Sequence, residues 1–196
     1  TRFVRPQSIK GIVTRVISIM NLWFKIDFSV KKILTIIFSL IISTNSYAIT
    51  QTDYYSNGQI RSEINFKDGK NNGKLTIWNE DGQKMKEHNY LNGKIDGKQI
   101  EWHQNGNISS AVTYKNGKKD GWAISWYMNG QQMSEEQYED DKKVGKLTYW
   151  YESGMRWKIG YYENDTKNGK WTIWSKNGAI ESEGTFNNGI CISGNC

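Results

Sequence analysis

A period of twenty-four residues runs through most of this chain and constrains its fold more than any other feature. GKLTIWNEDG at residues 73–82 returns as GKWTIWSKNG at 169–178, four periods later. Stepping by twenty-four from Trp78 meets Trp102, Trp126, Trp150 and Trp174. A second column runs Phe66, Tyr90, Tyr114, Tyr138, Tyr162 and Phe186, and a third runs Gly58, Gly82, Gly106, Gly130, Gly154 and Gly178. A fourth holds Gly73, Gly97, Gly121, Gly145 and Gly169. Self-similarity at a fixed period of 20 to 50 residues signals a repeat architecture and decides the fold before local propensity does.

Each glycine of the third column follows Asn57, Asp81, Asn105, Asn129, Ser153 or Asn177. Asn-Gly and Asp-Gly suit the positive φ angles of a two-residue type I′ turn, so these dipeptides read as hairpin tips. A second turn series lies about twelve residues further on, at Asp68-Gly69, Asn92-Gly93, Asn116-Gly117 and Asn188-Gly189. Asp140-Asp141 and Asn164-Asp165 replace the glycine there with residues that tolerate the left-handed region. Two strands of about six residues per repeat follow, one ending at the Trp column and one at the Phe/Tyr column. The expected fold is all-β: an elongated, single-layer antiparallel meander of about six hairpins from Tyr54 to Phe186. Glu63, Glu87, Glu135 and Glu183 precede the aromatic column by three residues, which places them on the opposite, wetter face. The aromatics of one hairpin fall well short of the entropy of ordering it, so each repeat must bury its rings on its neighbours, as a solenoid does.

The first forty-eight residues stand apart. Lys31 and Lys32 precede the apolar run at 33–43, and Ser46 and Ala48 are small residues at the spacing of a signal-peptidase site. Residues 1–48 therefore read as a leader, with the signal peptide at 31–48 and cleavage between Ala48 and Ile49. The alternative is a retained membrane anchor, for which the run is short. Met20 is a candidate start. Seven Lys/Arg and one Asp of the chain lie in 1–48, so the +6 net charge of the whole belongs to the leader, and 19 basic residues face 19 acidic ones beyond it. Nucleic acid is excluded as an expected partner, and membrane binding is not expected once the leader is gone. The repeat domain spans 49–189. The tail at 190–196 holds both cysteines, Cys191 and Cys196. In an oxidising compartment they close a small loop that contributes about 2 kcal/mol, placed to cap the last sheet edge; the alternative is two free thiols.

The stretches WYMNGQQMSEEQYEDDKKVGK (126–146) and IWSKNGAIESEGTFNNG (173–189) resemble the MORN repeat, and more closely the variant MORN repeat of bacterial YwqK-type proteins, many of which are named as antitoxins. The resemblance covers nearly all of the chain beyond the leader. It implies a twisted single-layer sheet, often grooved on one face, that serves protein or lipid contact.

No catalytic constellation is visible. His88 and His103 occupy different columns, no second ligand sits at metal spacing, and no nucleophile elbow or phosphate loop occurs. Glu135 and Glu136 are neighbours in a strand, so they point to opposite faces and read as solvated. The expectation is a chain that is not an enzyme and takes no metal or cofactor. The aromatic columns are structural and, on a sheet that cannot hide both faces, offer a contact surface. Among side chains that vary between copies, His103, Tyr127, Tyr149, Tyr151, Trp157, Tyr161 and Trp171 are the candidate specificity positions. Alanine at Tyr127, Tyr151 and Trp171 is then expected to abolish partner capture and leave the fold intact. The function expected is that of an exported, periplasmic or extracellular scaffold for a protein partner, antitoxin-like in the family's sense. The alternative is a glycan or envelope polymer stacked on the repeated Trp/Tyr face.

Overall fold

The computed structural model describes residues 48–196. The leader up to Tyr47 lies outside the described residues. Fourteen strands among the described residues form one open antiparallel sheet. They are β1 (Ala48–Tyr54), β2 (Ile60–Lys67), β3 (Lys70–Trp78), β4 (Lys84–Leu91), β5 (Lys94–Ile95), β6 (Gly97–Trp102), β7 (Ile108–Lys115), β8 (Lys118–Trp126), β9 (Gln132–Glu139), β10 (Lys142–Trp150), β11 (Arg156–Glu163), β12 (Thr166–Trp174), β13 (Ile180–Asn187) and β14 (Ile190–Asn195). Each pairs with its neighbour in sequence, except that β5 and β6 both pair with β4. Most strands run eight or nine residues rather than about six, because the turns that separate them are tighter than an even twelve-residue spacing implies.

The two turn series differ in kind. At Tyr55–Gln59 the Gly58 N–H donates to the Tyr55 carbonyl at 3.0 Å and the Tyr55 N–H to the Gln59 carbonyl at 2.8 Å. Gly58 alone takes a positive φ, +86°. This is a type I turn closed by a glycine bulge, not the type I′ turn expected of Asn57-Gly58. The second series is the type I′ one: Asp140, Asp141, Asn164 and Asp165 all have φ between 48° and 71°. The two glycine replacements have a local reason. The Asp141 carboxylate accepts the Lys119 backbone N–H at 2.7 Å, and that of Asp165 accepts the Lys143 N–H at 2.8 Å, so each strained aspartate caps the preceding repeat. Glycines of the fourth column bulge β3, β8, β10 and β12, as at Gly73 with φ +106°, and pair across the ladder with the next aromatic, Gly73 with Tyr90 and Gly169 with Phe186.

Register assigns the columns to faces. One face carries the Phe/Tyr column together with Leu75, Leu147 and Trp171, for these share its strand parity and pair with one another's neighbours. The other face carries the Trp column and a row running Glu63, Thr76, Glu87 and, further on, Glu135, Thr148, Ile159, Thr172 and Glu183. This glutamate face is not the wetter one. Thr76, Thr148 and Thr172 are buried there, and beside Thr76 and Thr172 lysine ammoniums reach the glutamates, Lys74 to Glu87 at 2.7 Å and Lys170 to Glu183 at 2.8 Å.

A continuous ring stack along each column is also corrected. Members of one column are two strands apart, about 9.5 Å, too far for direct contact. Among the described residues no two members of either column form a ring pair. What joins the repeats instead, beside the ladder, is a series of hydrogen bonds spanning twenty-three residues. The hydroxyls of Tyr55, Tyr127 and Tyr151 donate to the carbonyls of Trp78, Trp150 and Trp174 at 2.7 to 2.8 Å, and His103 Nε2 donates to the Trp126 carbonyl at 2.8 Å. Asn79 occupies the same position but turns inward, accepting the N–H groups of Asp81 and Gln83. There the ladder between β4 and β6 keeps only Lys86 opposite Glu101 and Glu87 opposite Ile100. We expect Tyr127→Phe to lower stability by about 1 kcal/mol, read from urea midpoints, because it strands the half-buried Trp150 carbonyl, and Tyr151→Phe to shift the midpoint in the same direction.

The same weak joint is acid-sensitive. The Gln99 side-chain N–H donates to His88 Nε2 at 2.6 Å, and burial holds the imidazole below its ordinary value of 6.5 against the opposing pull of Glu101. The Lys74 hydrogen bond holds Glu87 below its ordinary 4.5. A histidine kept neutral stabilises above its unfolded pKa, and a carboxylate kept ionised does the same. Thermal midpoints should therefore fall as pH drops below about 6.5 and again below about 4.5, with the first step missing in His88→Gln.

Candidate functional site

The Phe/Tyr face changes character along the sheet. Leu75 and Leu147 hold the position between successive ring strands in two repeats, and Trp171 holds it in the last. Trp171 stands on β12, between β11 and β13, so its indole bridges rings that cannot reach each other: Tyr162 at 5.2 Å and Phe186 at 6.1 Å between centroids, both edge-on. It is 5% exposed. Its cross-strand neighbours are both glycines. A Cβ on Gly160 would lie 2.3 Å from the indole, and one on Gly184 would lie 2.2 Å from Cys196 Sγ. The larger residue is thus accommodated by the vacated position at Gly160, while the space at Gly184 is filled by the Cys191–Cys196 disulfide. The indole Nε1 is buried and has no acceptor among the described residues.

One hairpin earlier, Glu136 is 9% exposed on this face and not solvated as its sequence position suggests. Its carboxylate accepts the Tyr138 hydroxyl at 2.5 Å, the Tyr149 hydroxyl, and Lys143 Nζ at 3.3 Å. Burial, then the Glu136 hydrogen bond, push the Tyr138 phenol far above its usual range. Around this cluster ammoniums lie on ring faces. Lys119 Nζ is 4.9 Å from the Tyr138 centroid, Lys143 stands between Tyr138 and Tyr162 at 6.0 and 5.6 Å, and Lys167 between Trp171 and Phe186 at 4.7 and 4.8 Å. Lys158 lies over Tyr149 and Trp157 at 4.5 and 5.0 Å, and burial followed by the charges of Lys143 and Lys167 lowers its pKa.

The turn-proximal rim of the sheet is apolar. Ile60, Met85, Ile108, Met133, Trp157 and Ile180 follow the six glycine-bulge turns and all stay exposed. An open cleft of about 440 Å³ sits at this rim, floored by Trp126 and lined by Gly106, Asn107, Ile108 and Gly130.

The seven specificity candidates separate into three places. His103, Tyr127 and Tyr151 tie repeats together. Tyr149 and Trp157, whose rings meet edge-on at 5.7 Å, belong with Trp171 to the lysine and aromatic face. Tyr161 is exposed on the opposite face beside Lys146. Alanine at Tyr127, Tyr151 and Trp171 together would remove two inter-repeat bonds and a core wedge, so that triple variant tests the fold rather than the binding surface. Glu136, Lys119, Lys143, Lys158 and Lys167 were missed as a group, although Lys119, Lys143 and Lys167 form a fifth column at the same period. Cys191 and Cys196 are disulfide-bonded with Cα atoms 6.2 Å apart, beside Gly184. Among the described residues no group of His, Cys, Asp or Glu is placed to hold a metal ion.

Three segments, residues 49–68, 95–116 and 167–188, match the family model described as the MORN repeat variant. Each spans a strand, a glycine-bulge turn and a second strand, and each ends at or beside a type I′ turn. The intervening hairpins carry the same columns, which together with the three matches supports a MORN-type repeat protein. Such repeats are in general binding modules without catalysis. No curated protein matches the chain.

Proposed function

We propose that this chain is an exported, non-enzymatic scaffold that captures another protein along the lysine and aromatic face of its later repeats, with the apolar rim as one border of the footprint. The observation that carries this reading is the rim itself. A single-layer sheet leaves one large apolar side chain per hairpin uncovered at the turn-proximal rim. Ile60, Ile108 and Ile180 hold the position paired with the ring before the turn, and Met85, Met133 and Trp157 stand one position further on. This broken apolar strip is of the kind that marks protein contact. Trp157, 38% exposed, joins strip and face, and methionines such as Met85 and Met133 adapt to varied apolar partners. Tryptophan and tyrosine are the side chains that most often anchor interfaces. Export rests on the leader at 31–48, with cleavage at Ala48–Ile49. Within MORN-type repeats we group the chain with the YwqK-type, antitoxin-like proteins, which makes a toxin acting in the envelope one candidate partner.

The test is capture from envelope extract with the full chain as bait, with and without glycosidase, followed by mass spectrometry. A discrete protein that persists after glycosidase and is lost with Met133→Ser plus Trp157→Ala supports the scaffold. Capture that disappears with glycosidase supports the second reading, in which a sugar ring stacks on Trp126 in the rim cleft beside the Asn107 amide.

A further inference from the structure

The fold gives some lysines a counter-charge and leaves others without one. On the glutamate face, Lys74 and Lys170 each meet a cross-strand carboxylate within 2.8 Å. On the other face, Lys119, Lys158 and Lys167 reach no carboxylate within ion-pair distance among the described residues. The acids near them are already engaged. Glu136 serves two phenols and Lys143, while Asp141 and Asp165 are turned onto backbone N–H groups. Three ammoniums lying on ring faces without counter-charges leave this face of the last hairpins positive and flat. In a chain whose charges balance beyond the leader, that is a local excess.

The excess is also periodic. Lys119, Lys143 and Lys167 stand directly across from Tyr114, Tyr138 and Tyr162, and successive members lie two strand spacings apart, about 9.5 Å. A ligand running across the strands therefore meets a cation at that interval, with an aromatic ring between one and the next. A polyproline II segment turns once in three residues and rises about 9.3 Å in doing so, which presents every third side chain on one side at nearly this spacing.

Resting on the scaffold reading above, we infer that the partner docks through an extended acidic segment with a carboxylate at every third residue, laid across β8 to β13 so that its acids pair with Lys119, Lys143 and Lys167 and its intervening residues lie on Tyr138, Tyr162 and Trp171. The partner supplies the counter-charges that Lys119 and Lys167 lack and adds a second carboxylate to Lys143, which Glu136 already meets at 3.3 Å. Charge of this kind sets orientation and encounter rate, and the flat rings between supply the contact area.

The probe is a twelve-residue Glu-Pro-Pro repeat peptide titrated into the full chain, with tryptophan fluorescence and anisotropy as readouts, against a Gln-Pro-Pro control. Saturable binding of the glutamate peptide alone is expected, weakened about tenfold by Lys119→Gln with Lys167→Gln and by raising salt, and unchanged by Lys170→Gln on the other face. No binding, equal binding of the glutamine peptide, or loss with Lys170→Gln would overturn the inference. So would a uronate oligosaccharide that binds where the peptide does not. Running the extract capture with the wild-type chain and the Lys119/Lys167 variant side by side separates the two levels. A protein captured equally by both leaves the scaffold standing and removes the acidic segment; no protein captured by the wild type removes the scaffold.

Discussion

Trp171→Ala should destabilise the chain by about 3 to 5 kcal/mol, the largest effect of any single side-chain truncation proposed for this sheet. The indole is 5% exposed and, among the described residues, is the one ring that bridges Tyr162 and Phe186, which stand two strands apart. Truncation leaves a void that the sheet cannot close, because Gly160 and Gly184 on either side have no side chains to move into it. Trp171→Phe should cost much less, since the Nε1–H is buried with no acceptor among the described residues and phenylalanine removes that unsatisfied donor. The converse substitution, Gly160→Ala, places a methyl 2.3 Å from the indole and should cost about 1 to 3 kcal/mol. Combined with Trp171→Leu, which restores the residue found at Leu75 and Leu147, the alanine should become nearly neutral. A double-mutant cycle by urea unfolding measures that coupling.

Glu136→Ala should be the second large loss, on the order of 3 kcal/mol, because it removes one carboxylate that three donors share in a half-dry site. Glu136→Gln keeps an acceptor and should lose less. The phenol of Tyr138 gives an independent readout. Burial and the Glu136 hydrogen bond favour its neutral form, so the folded pKa lies above the unfolded one. That stabilisation is complete below about pH 10 and declines as pH rises toward the folded value. In Glu136→Gln the phenol should ionise at lower pH, seen as earlier growth of tyrosinate absorbance, whereas an effect on packing alone would leave the titration unmoved.

The fold was legible because period and residue type agree. Columns at 58, 66, 73 and 78 and their copies fix the number of hairpins and their order. The assignment of turn types went astray because Asn-Gly serves both kinds. In a type I turn with a glycine bulge only the glycine needs positive φ, and Ser153 before Gly154 was the signal, since serine fits poorly in the left-handed region. Asp141 and Asp165 told the same story from the other series, where both turn residues are left-handed. The face of each column was harder to read, because the bulge at the fourth-column glycines interrupts simple counting between Phe66 and Trp78. The tyrosine links were invisible for a different reason. Their acceptors are backbone carbonyls, which every residue has, so Tyr127 and Tyr151 read as variable ornaments and turn out to be joints. Glu136 looked solvated because its burial depends on Tyr149 from the next strand, a partner that register alone does not name.

In the proposed scaffold, partner contact falls on the lysine and aromatic face and not on the glutamate face. Trp157 and Trp122 are both exposed, 38% and 44%, on strands of adjoining hairpins; Trp157 borders the first face, and Trp122 stands opposite Gln137 on the second. Replacing each in turn by photoreactive benzoylphenylalanine and irradiating the chain in envelope extract reads the face directly. An adduct to one protein from position 157 and none from position 122 is the predicted result. An adduct from position 122 alone would put the partner on the other side of the sheet and contradict the account.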